Sequence, residues 1–175
     1  MSIRIREIKA FCQNHAEARN IILSLNARYI GCDHQIDHYF NVHHGRLKLR
    51  DGSIEKHLIH YLRPNRKGPK LSRVKLYPVH EPEKLNALLS SALDTLVIVD
   101  KQREIYFVDN VKIHLDRVKD LGSFLEIEAI DEDDRFSDEE LLHQCQRLMN
   151  LLKIAPDDLI CDSYSDMLLK MRTTS

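Results

Sequence analysis

The sequence predicts an α+β fold in which an antiparallel sheet dominates and three or four helices accompany it. Many short runs alternate apolar and polar side chains with a period of two, which is typical of strands. Turn signals such as Asp51-Gly52 separate neighbouring runs and favour hairpins. A few segments instead carry apolar residues at helical spacing. With eight or nine strands predicted, we expect the sheet to be closed or strongly curved.

The N-terminal part of the chain begins with a strand and a helix. Asn14 is a good N-cap, and apolar residues recur at near-helical spacing after it. Gly31 interrupts the pattern, so we expect the next strand to begin only after this residue. The predicted elements are a strand over 3–10, a helix over 15–27, and strands over 35–42, 45–50 and 57–63.

The remaining elements follow from proline positions, capping signals and further alternation. Pro82 suits the first turn of a helix, and Ser137 with Glu140 forms the pattern of a capping box. Two strands or one long strand are expected over 96–108. The other predictions are a strand over 70–79, a helix over 81–93, two strands within 111–129, a helix over 137–152 and a short helix over 163–171.

Length and composition indicate one globular domain spanning 1–175. A formal net charge of −1 gives no basic excess for nucleic acid or membrane surfaces. The four cysteines lie far apart without a CxxC pair, as expected for free thiols of a cytoplasmic protein. The charged N-terminus does not resemble a signal peptide, and the longest apolar run, 95–99, is too short to span a bilayer. We therefore expect a soluble, cytoplasmic protein.

The stretch 111–129 shows the alternation most clearly. Val111, Ile113 and Leu115 fall on one face of its first strand, opposite Lys112, His114 and Asp116. On its second strand, Leu125, Ile127 and Ala129 fall opposite Phe124, Glu126 and Glu128. Two carboxylates side by side on one face repel each other unless a cation lies between them. This stretch is therefore a candidate metal site or the wet face of a sheet.

Charged residues recur at strand parity along the whole chain. In an open sheet they would face water. In a closed barrel they would line the interior, and unpaired buried cations would then require a polyanion. Arg and Lys bind phosphate oxygens through charge-assisted hydrogen bonds, and clustered carboxylates suit a hard divalent cation. The basic positions are Lys9, Arg46, Lys48, Arg50, Arg63, Lys70, Lys101, Arg103 and Lys112; the acidic positions are Glu7, Asp116, Glu126 and Glu128.

Five blocks of sequence together resemble the CYTH domain, also called the triphosphate tunnel metalloenzyme family, and look most similar to its class IV adenylate cyclase-like branch. The blocks are EIKA at 7–10, QIDHYFNVHHGRLKLRDG at 35–52, RPNRKGPK at 63–70, DKQREIYFV at 100–108 and HLDRVKDLGSFLEIEA at 114–129. The resemblance implies a closed eight-stranded antiparallel barrel with helices packed outside. It also implies Mg²⁺ or Mn²⁺ as cofactor and a small-molecule triphosphate or nucleotide as substrate, and a homodimer is compatible with it.

The resemblance also assigns roles to residues. Glu7 and Lys9 match the last two charged positions of the family's ExExK signature, whereas Ile5 stands where its first Glu is expected. All nine basic positions above are expected to bind phosphate. Lys101 and Arg103 match a KxR pair of the family, and together with Asp116 they are also expected to act in catalysis. The expected metal ligands are Glu7, Asp116, Glu126 and Glu128.

Three activities remain open at this point. We favour hydrolysis of an inorganic or organic triphosphate. The alternatives are a class IV adenylate cyclase, which converts ATP to cyclic AMP and pyrophosphate, and a non-catalytic polyphosphate-binding or nucleotide-binding module, which Ile5 motivates. Among the histidines, we place only His114 in the tunnel. We expect Asp37 and Tyr39 to stabilise the entry of their strand through hydrogen bonds.

Overall fold

The structure is a computed structural model that describes residues 3–174. Within that range it contains eight strands and four α-helices. The strands are β1 (Ile3–Phe11), β2 (Arg28–Phe40), β3 (Arg46–Gly52), β4 (Lys56–Leu62), β5 (Lys70–Pro78), β6 (Thr95–Val108), β7 (Val111–Val118) and β8 (Gly122–Asp131). The helices are α1 (His15–Ser24), α2 (Pro82–Leu93), α3 (Asp138–Leu151) and α4 (Tyr164–Thr174), with a 3₁₀ turn at Pro156–Asp158.

The eight strands form one closed barrel. Their order around it is β1-β5-β4-β3-β2-β6-β7-β8, and β8 pairs back onto β1. Every neighbouring pair is antiparallel. This confirms the predicted closed eight-stranded barrel. Because a closed barrel has no sheet edge, each strand presents one face to the interior and one to the outside.

The outside of the barrel is covered by helices over β1, β7 and β8. Ile113 and Leu115 of β7 and Ile127 of β8 are buried in one apolar cluster, which also contains residues of α1 and α3. The apolar faces predicted in the stretch 111–129 therefore point outward. Since successive side chains of a strand point to opposite faces, the polar residues between them point into the barrel.

Helix α4 packs against the end of the barrel where β6 begins. Val97 and Val99 of β6 lie in one buried cluster with Tyr164 of α4. The segment before α4 is tied to β1, because the backbone N–H of Ile160 donates to the carbonyl of Lys9 at 2.9 Å. The opposite end of the barrel carries exposed loop residues around the β6–β7 turn and after β8. Helix α4 thus covers one end of the barrel interior, and exposed loop residues surround the other end.

Local signals for helices are confirmed, and one predicted strand boundary is wrong. Asn14 accepts from the backbone N–H of Glu17, and Ser137 with Glu140 forms the predicted capping box. Gly31 does not precede β2 but lies inside it, at a shift in the pairing with β6. Its φ of +151° favours glycine. β2 continues through this bulge because β6, a single 14-residue strand, offers backbone partners along its length.

Within residues 3–174, no helix combines the length and the apolar character needed to cross a lipid bilayer.

Candidate functional site

The barrel encloses a cavity of about 420 Å³, which lies in the size range of small-molecule sites. All eight strands contribute to its lining. The charged faces predicted from strand parity therefore lie in an enclosed interior and not on the wet face of an open sheet. Of the predicted site residues, the cavity is lined by Lys9, Lys48, Arg50, Arg63, Lys101, Arg103, Lys112, Glu7, Glu126 and Glu128.

Three predicted site residues do not line this cavity among the residues described. Arg46 reaches α4, where it donates to Asp166 at 2.8 Å. Lys70 is fully buried and donates to the carbonyl oxygens of Ile160 and Cys161 at 3.4 and 3.2 Å. Asp116 lies behind Arg103, as described below. The proximity of α4 and the preceding segment explains why Arg46 and Lys70 are engaged there.

Asp37 organises the cations on the β2–β3–β6 side of the cavity. Its carboxylate accepts from Lys101 at 2.7 Å, from Lys48 at 2.9 Å and from Arg50 at 2.9 and 3.0 Å. Burial alone would raise the pKa of Asp37, but the three cations outweigh burial and hold that pKa well below its usual range. Asp37 was expected to stabilise the strand entry through hydrogen bonds. Its hydrogen bonds go to Lys48, Arg50 and Lys101, so it is a buried counter-ion of the basic lining.

Lys101, which donates to Asp37, has a strongly lowered pKa. Burial lowers the pKa of Lys101 to about 7, although the charge of Asp37 opposes this shift. Arg50 and Arg103 lower it further because like charges disfavour the protonated form. Its charge therefore depends on what else occupies the cavity.

A second network lies where β7, β8 and α4 meet. Arg103 donates to both oxygens of Asp116, at 2.7 and 2.5 Å, and to Glu126 at 2.7 Å. The hydroxyl of Tyr164 donates to Asp116 at 2.7 Å. Lys9 pairs with Glu126, and its ammonium lies 3.5 Å from the centre of the Tyr164 ring. With both oxygens engaged, Asp116 orients Arg103, and Asp116 itself does not line the cavity.

The ion pairs of this second network shift the pKa values of Glu126 and Lys9. Burial would raise the pKa of Glu126, but Lys9 and Arg103 hold it well below its usual range. Burial lowers the pKa of Lys9, and Glu126 only partly offsets this effect.

The other cations of the lining are paired as well. Arg63 donates to Glu7 at 2.6 Å, and Glu7 also accepts from Ser72 at 3.2 Å. Glu55 binds Arg50 at 2.9 Å and also pairs with Lys112. Glu55 was not predicted, because it lies in the β3–β4 turn, where strand parity carries no signal. Each predicted basic residue of the lining thus has a carboxylate partner.

One sequence comparison decides the family. The chain matches the sequence profile of the CYTH domain over residues 5–164. The chain belongs to the CYTH family. A search of curated proteins found no match.

Solved structures show the same CYTH fold in other organisms. The PH1012 protein of Pyrococcus horikoshii OT3 aligns with a TM-score of 0.76 and 24% identity, over 95% of this chain and 98% of that one. A candidate adenylate cyclase from Vibrio parahaemolyticus aligns with a TM-score of 0.75 and 19% identity, over 94% and 97%. An adenylyl cyclase homologue from Hippeastrum, described as having a dominant triphosphatase activity, aligns with a TM-score of 0.59 and 14% identity, over 97% and 94%.

A CYTH domain implies a metal ion, and one group of side chains fits this expectation. Ligand atoms of His114, Glu126 and Glu128 all lie within 4.8 Å of one another. Nδ1 of His114 is 3.4 Å from Glu126 and 3.9 Å from Glu128. Two donors that each lie about 2.1 Å from one cation are at most about 4.2 Å apart, so both measured separations are compatible with shared coordination.

The donors themselves also suit a cation. Burial lowers the pKa of His114, with the charge of Arg103 acting in the same direction, so the neutral ring keeps a lone pair for a metal. The only ion-pair contact of Glu128 within 4 Å among the described residues is to His114. Glu126 and Glu128 were predicted as ligands, whereas His114 was placed in the tunnel without that role. The expectation that His114 is the only histidine there is wrong, because His57 of β4 lines the cavity and His114 is fully buried behind the lining. Glu7 and Asp116 lie outside this group and are held by Arg63 and Arg103.

Ile5 also points into the cavity of this CYTH domain. On its two sides in the barrel it pairs with Ser72 of β5 and Ile130 of β8. No carboxylate occupies the place where the family signature has its first Glu. The strand parity that directs Glu7 and Lys9 inward thus directs an aliphatic side chain inward at position 5.

Proposed function

We propose that this protein is a divalent-metal-dependent enzyme that hydrolyses a triphosphate bound inside the barrel. The observation that supports this proposal is the convergence of seven of the predicted basic side chains on one cavity, beside a cluster of one histidine and two carboxylates. Arg and Lys hydrogen-bond phosphate oxygens, and this donor set suits a divalent cation. Phosphoryl transfer depends mainly on positioning and charge stabilisation, which such a lining supplies.

Substrate binding would require an exchange of ion-pair partners. Before binding, the basic side chains neutralise Asp37, Glu55, Glu7, Asp116 and Glu126. A triphosphate offers the cations new oxygen acceptors, and a divalent cation compensates the carboxylates that lose partners. Metal and triphosphate should therefore bind cooperatively, because either one alone leaves buried charges of one sign in excess.

The proposal gives different groups of residues different roles. His114, Glu126 and Glu128 would hold Mg²⁺ or Mn²⁺, and the bound cation would neutralise and orient phosphate oxygens. Lys9, Arg63 and Arg103 lie next to this cluster or to its neighbouring carboxylates, so we assign them to the phosphate groups closest to the metal. Lys48, Arg50, Lys101 and Lys112 would hold the rest of the phosphate chain. Asp116 acts as a positioning residue through its two contacts with Arg103.

The adenylate cyclase alternative uses the same lining. The Vibrio parahaemolyticus neighbour is described as a candidate adenylate cyclase, and part of the cavity is apolar enough to accept a nucleoside. In that reaction the ribose 3′-hydroxyl attacks the α-phosphorus of ATP and pyrophosphate leaves. Hydrolysis and cyclisation therefore differ in their products, which makes product analysis decisive.

The test is a product assay on the full chain. The protein is incubated with Mg²⁺ or Mn²⁺ and either inorganic triphosphate or ATP, and phosphate, pyrophosphate and cyclic AMP are quantified. Glu128→Gln is the informative variant because it removes a candidate ligand that holds no Arg or Lys within 4 Å among the described residues. Glu139→Gln, on the exposed surface of α3, is the matched control.

Each outcome has one meaning. Phosphate release by the wild type and by Glu139→Gln, reduced at least about a hundredfold in Glu128→Gln, supports the triphosphatase. Cyclic AMP with pyrophosphate establishes the cyclase instead. Triphosphate binding without any product under both metals contradicts both enzymes and leaves a binding module, which is the reading that Ile5 motivates.

A further inference from the structure

Six aliphatic side chains lie together on one side of the cavity wall. We call this surface the apolar wall and define it as Ile3, Ile5, Ile59, Val74, Leu76 and Ile130. Its members are neighbours across strands: Ile3 pairs with Val74, Leu76 with Ile59, and Ile5 with Ile130. The apolar wall therefore forms one continuous surface over β4, β5, β1 and β8, four consecutive strands of the closed barrel.

Charged residues dominate the other half of the cavity. The strands β3, β2, β6 and β7 are consecutive on the opposite side of the barrel, and they carry Lys48, Arg50, Lys101, Arg103 and Lys112. The strands of the apolar wall also carry Glu7, Lys9, Glu126 and Glu128, so the ligand space is bordered by aliphatic and charged side chains on one side and by mainly charged side chains on the other.

Every member of the apolar wall lines the cavity. Ile5, Ile59 and Val74 belong at the same time to a buried apolar cluster, and Leu76 is 43% exposed. An inorganic polyphosphate gains nothing from this surface, because a charged group placed against aliphatic side chains loses hydration without a compensating hydrogen bond. An apolar group on the ligand gains binding energy in proportion to the area it buries.

We propose that the apolar wall is a subsite for an apolar organic group esterified to the phosphate chain, with Ile5 as the specificity-determining residue. This inference rests on the function proposed above and names the class of its substrate: an alkyl or aryl monoester of triphosphate in preference to inorganic triphosphate. Ile5 is central because it pairs with Ile130 of β8 and lies two residues from Ile3 on the same face of β1, where Ile3 pairs with Val74 of β5. A carboxylate at this position would lose hydration against an apolar group and would repel a nearby phosphate.

The experiment measures binding of charge-matched ligands in the presence of Mn²⁺. Imido-bridged, non-hydrolysable triphosphate is compared with its methyl and phenyl monoesters by isothermal titration calorimetry on the full chain. The two monoesters carry the same charge, so their affinity ratio reports the apolar group alone. Burial of about 60 Å² of additional apolar ligand surface predicts that the phenyl ester binds about tenfold tighter than the methyl ester.

Three substitutions locate the effect on the wall. Ile5→Glu should bring the phenyl-to-methyl affinity ratio close to one, and Ile5→Ala and Ile59→Ala should each lower it about threefold. The alanine variants keep the test informative where Ile5→Glu does not fold. Ile98→Glu is the matched control, because Ile98 lies on the exposed outer face of β6, and it should keep the wild-type ratio.

The outcomes separate this inference from the proposed function. Equal affinities of the two monoesters for the wild type, with tight binding of the imido triphosphate, overturn the inference and leave the proposed function intact. An unchanged ratio in both alanine variants overturns it as well. Failure of all three ligands to bind overturns the proposed function, and the inference with it.

Discussion

Asp37 of β2 and Lys101 of β6 form an ion pair that is closed to solvent on both sides. Their oxygen and nitrogen atoms are 2.7 Å apart, and each side chain is only 1% exposed. The same carboxylate binds Lys48 and Arg50. One acidic residue of β2 thus holds three basic side chains of the two neighbouring strands, β3 and β6, in a compact array facing the cavity.

Removal of this carboxylate should strongly destabilise the fold. In Asp37→Asn, three cations lose their shared counter-ion in a buried place, which costs about 3 kcal/mol or more of unfolding free energy. Urea unfolding monitored by circular dichroism measures this cost. Asp51→Asn is the control: Asp51 lies on the adjacent strand, is 38% exposed in its side chain and contacts Lys56 only at 4.0 Å. It should lose less than about 1 kcal/mol. Equal losses in the two variants would contradict the role assigned to Asp37.

The ionisation of Lys101 should make triphosphate binding dependent on pH. Because burial lowers the pKa of Lys101 to about 7, this amine is largely neutral in the free protein above pH 7. A bound triphosphate favours the protonated amine, so binding takes up a proton, and the affinity falls by up to about tenfold per pH unit between pH 7 and 9.

Calorimetry in buffers of different ionisation enthalpy counts this proton. The control is Lys101→Arg, whose guanidinium stays charged throughout the range. Both proteins are titrated with the same ligand, so a difference between their slopes of affinity against pH is caused by residue 101. Identical pH slopes for the wild type and Lys101→Arg would rule out this role for the amine.

The imidazole of His114 should influence which metal binds. Mn²⁺ accepts a nitrogen ligand more readily than Mg²⁺, which prefers oxygen ligands only. His114→Ala should therefore weaken Mn²⁺ binding at least about tenfold and change Mg²⁺ binding much less. Electron paramagnetic resonance of free Mn²⁺, with Mg²⁺ as competitor, measures both affinities without an activity assay. His143→Ala, on the exposed surface of α3, should bind Mn²⁺ as the wild type does. The assignment fails if both variants keep wild-type affinity.

The hydroxyl of Tyr164 should stabilise the junction of α4 with the barrel. Burial raises the pKa of Tyr164 well above its usual range, so the hydroxyl remains a donor to Asp116. Tyr164→Phe removes this hydrogen bond to a buried charged group and should lower the free energy of unfolding by about 1.5–3 kcal/mol. Tyr77→Phe, at a tyrosine that is 68% exposed, provides the comparison and should have no measurable effect in the same urea titration. A loss of similar size in Tyr77→Phe would show that the hydrogen bond is not the cause.

Strand parity predicted that Glu126 and Glu128 share one face of β8, but it did not decide which face of β1 is charged, because Ile3 and Ile5 share the parity of Glu7 and Lys9. In the closed barrel, Glu7 and Lys9 of β1 and Glu126 and Glu128 of β8 point inward. The same reasoning could not separate Arg46 from Lys48 and Arg50, which share one parity on β3. Arg46 lies at the end of the strand that α4 approaches, and parity carries no information about position along the barrel axis.

The partners of the ion pairs were less predictable than the strand face on which each charged side chain lies. Asp37 and Lys101 are separated by 64 residues, and Arg63 and Glu7 by 56. Nothing local to either residue indicates these partners, because the pairs form only when β2 meets β6 and β4 approaches β1 through β5. The carboxylate of Asp37 was missed as a counter-ion of Lys101 for this reason.

The sequence by itself determined the presence of the strands, the two sets of side chains on each strand, the helix caps and the blocks that resemble the CYTH family, because these patterns are carried by residues that are near neighbours in the chain. Only the tertiary structure decided that Asp116 is held by Arg103 and Tyr164, that His114 joins Glu126 and Glu128, and that Ile5 belongs to a continuous apolar wall. These relationships depend on the register between strands that are distant in sequence. That register is set when the barrel closes and the helices cover its outer face and one end.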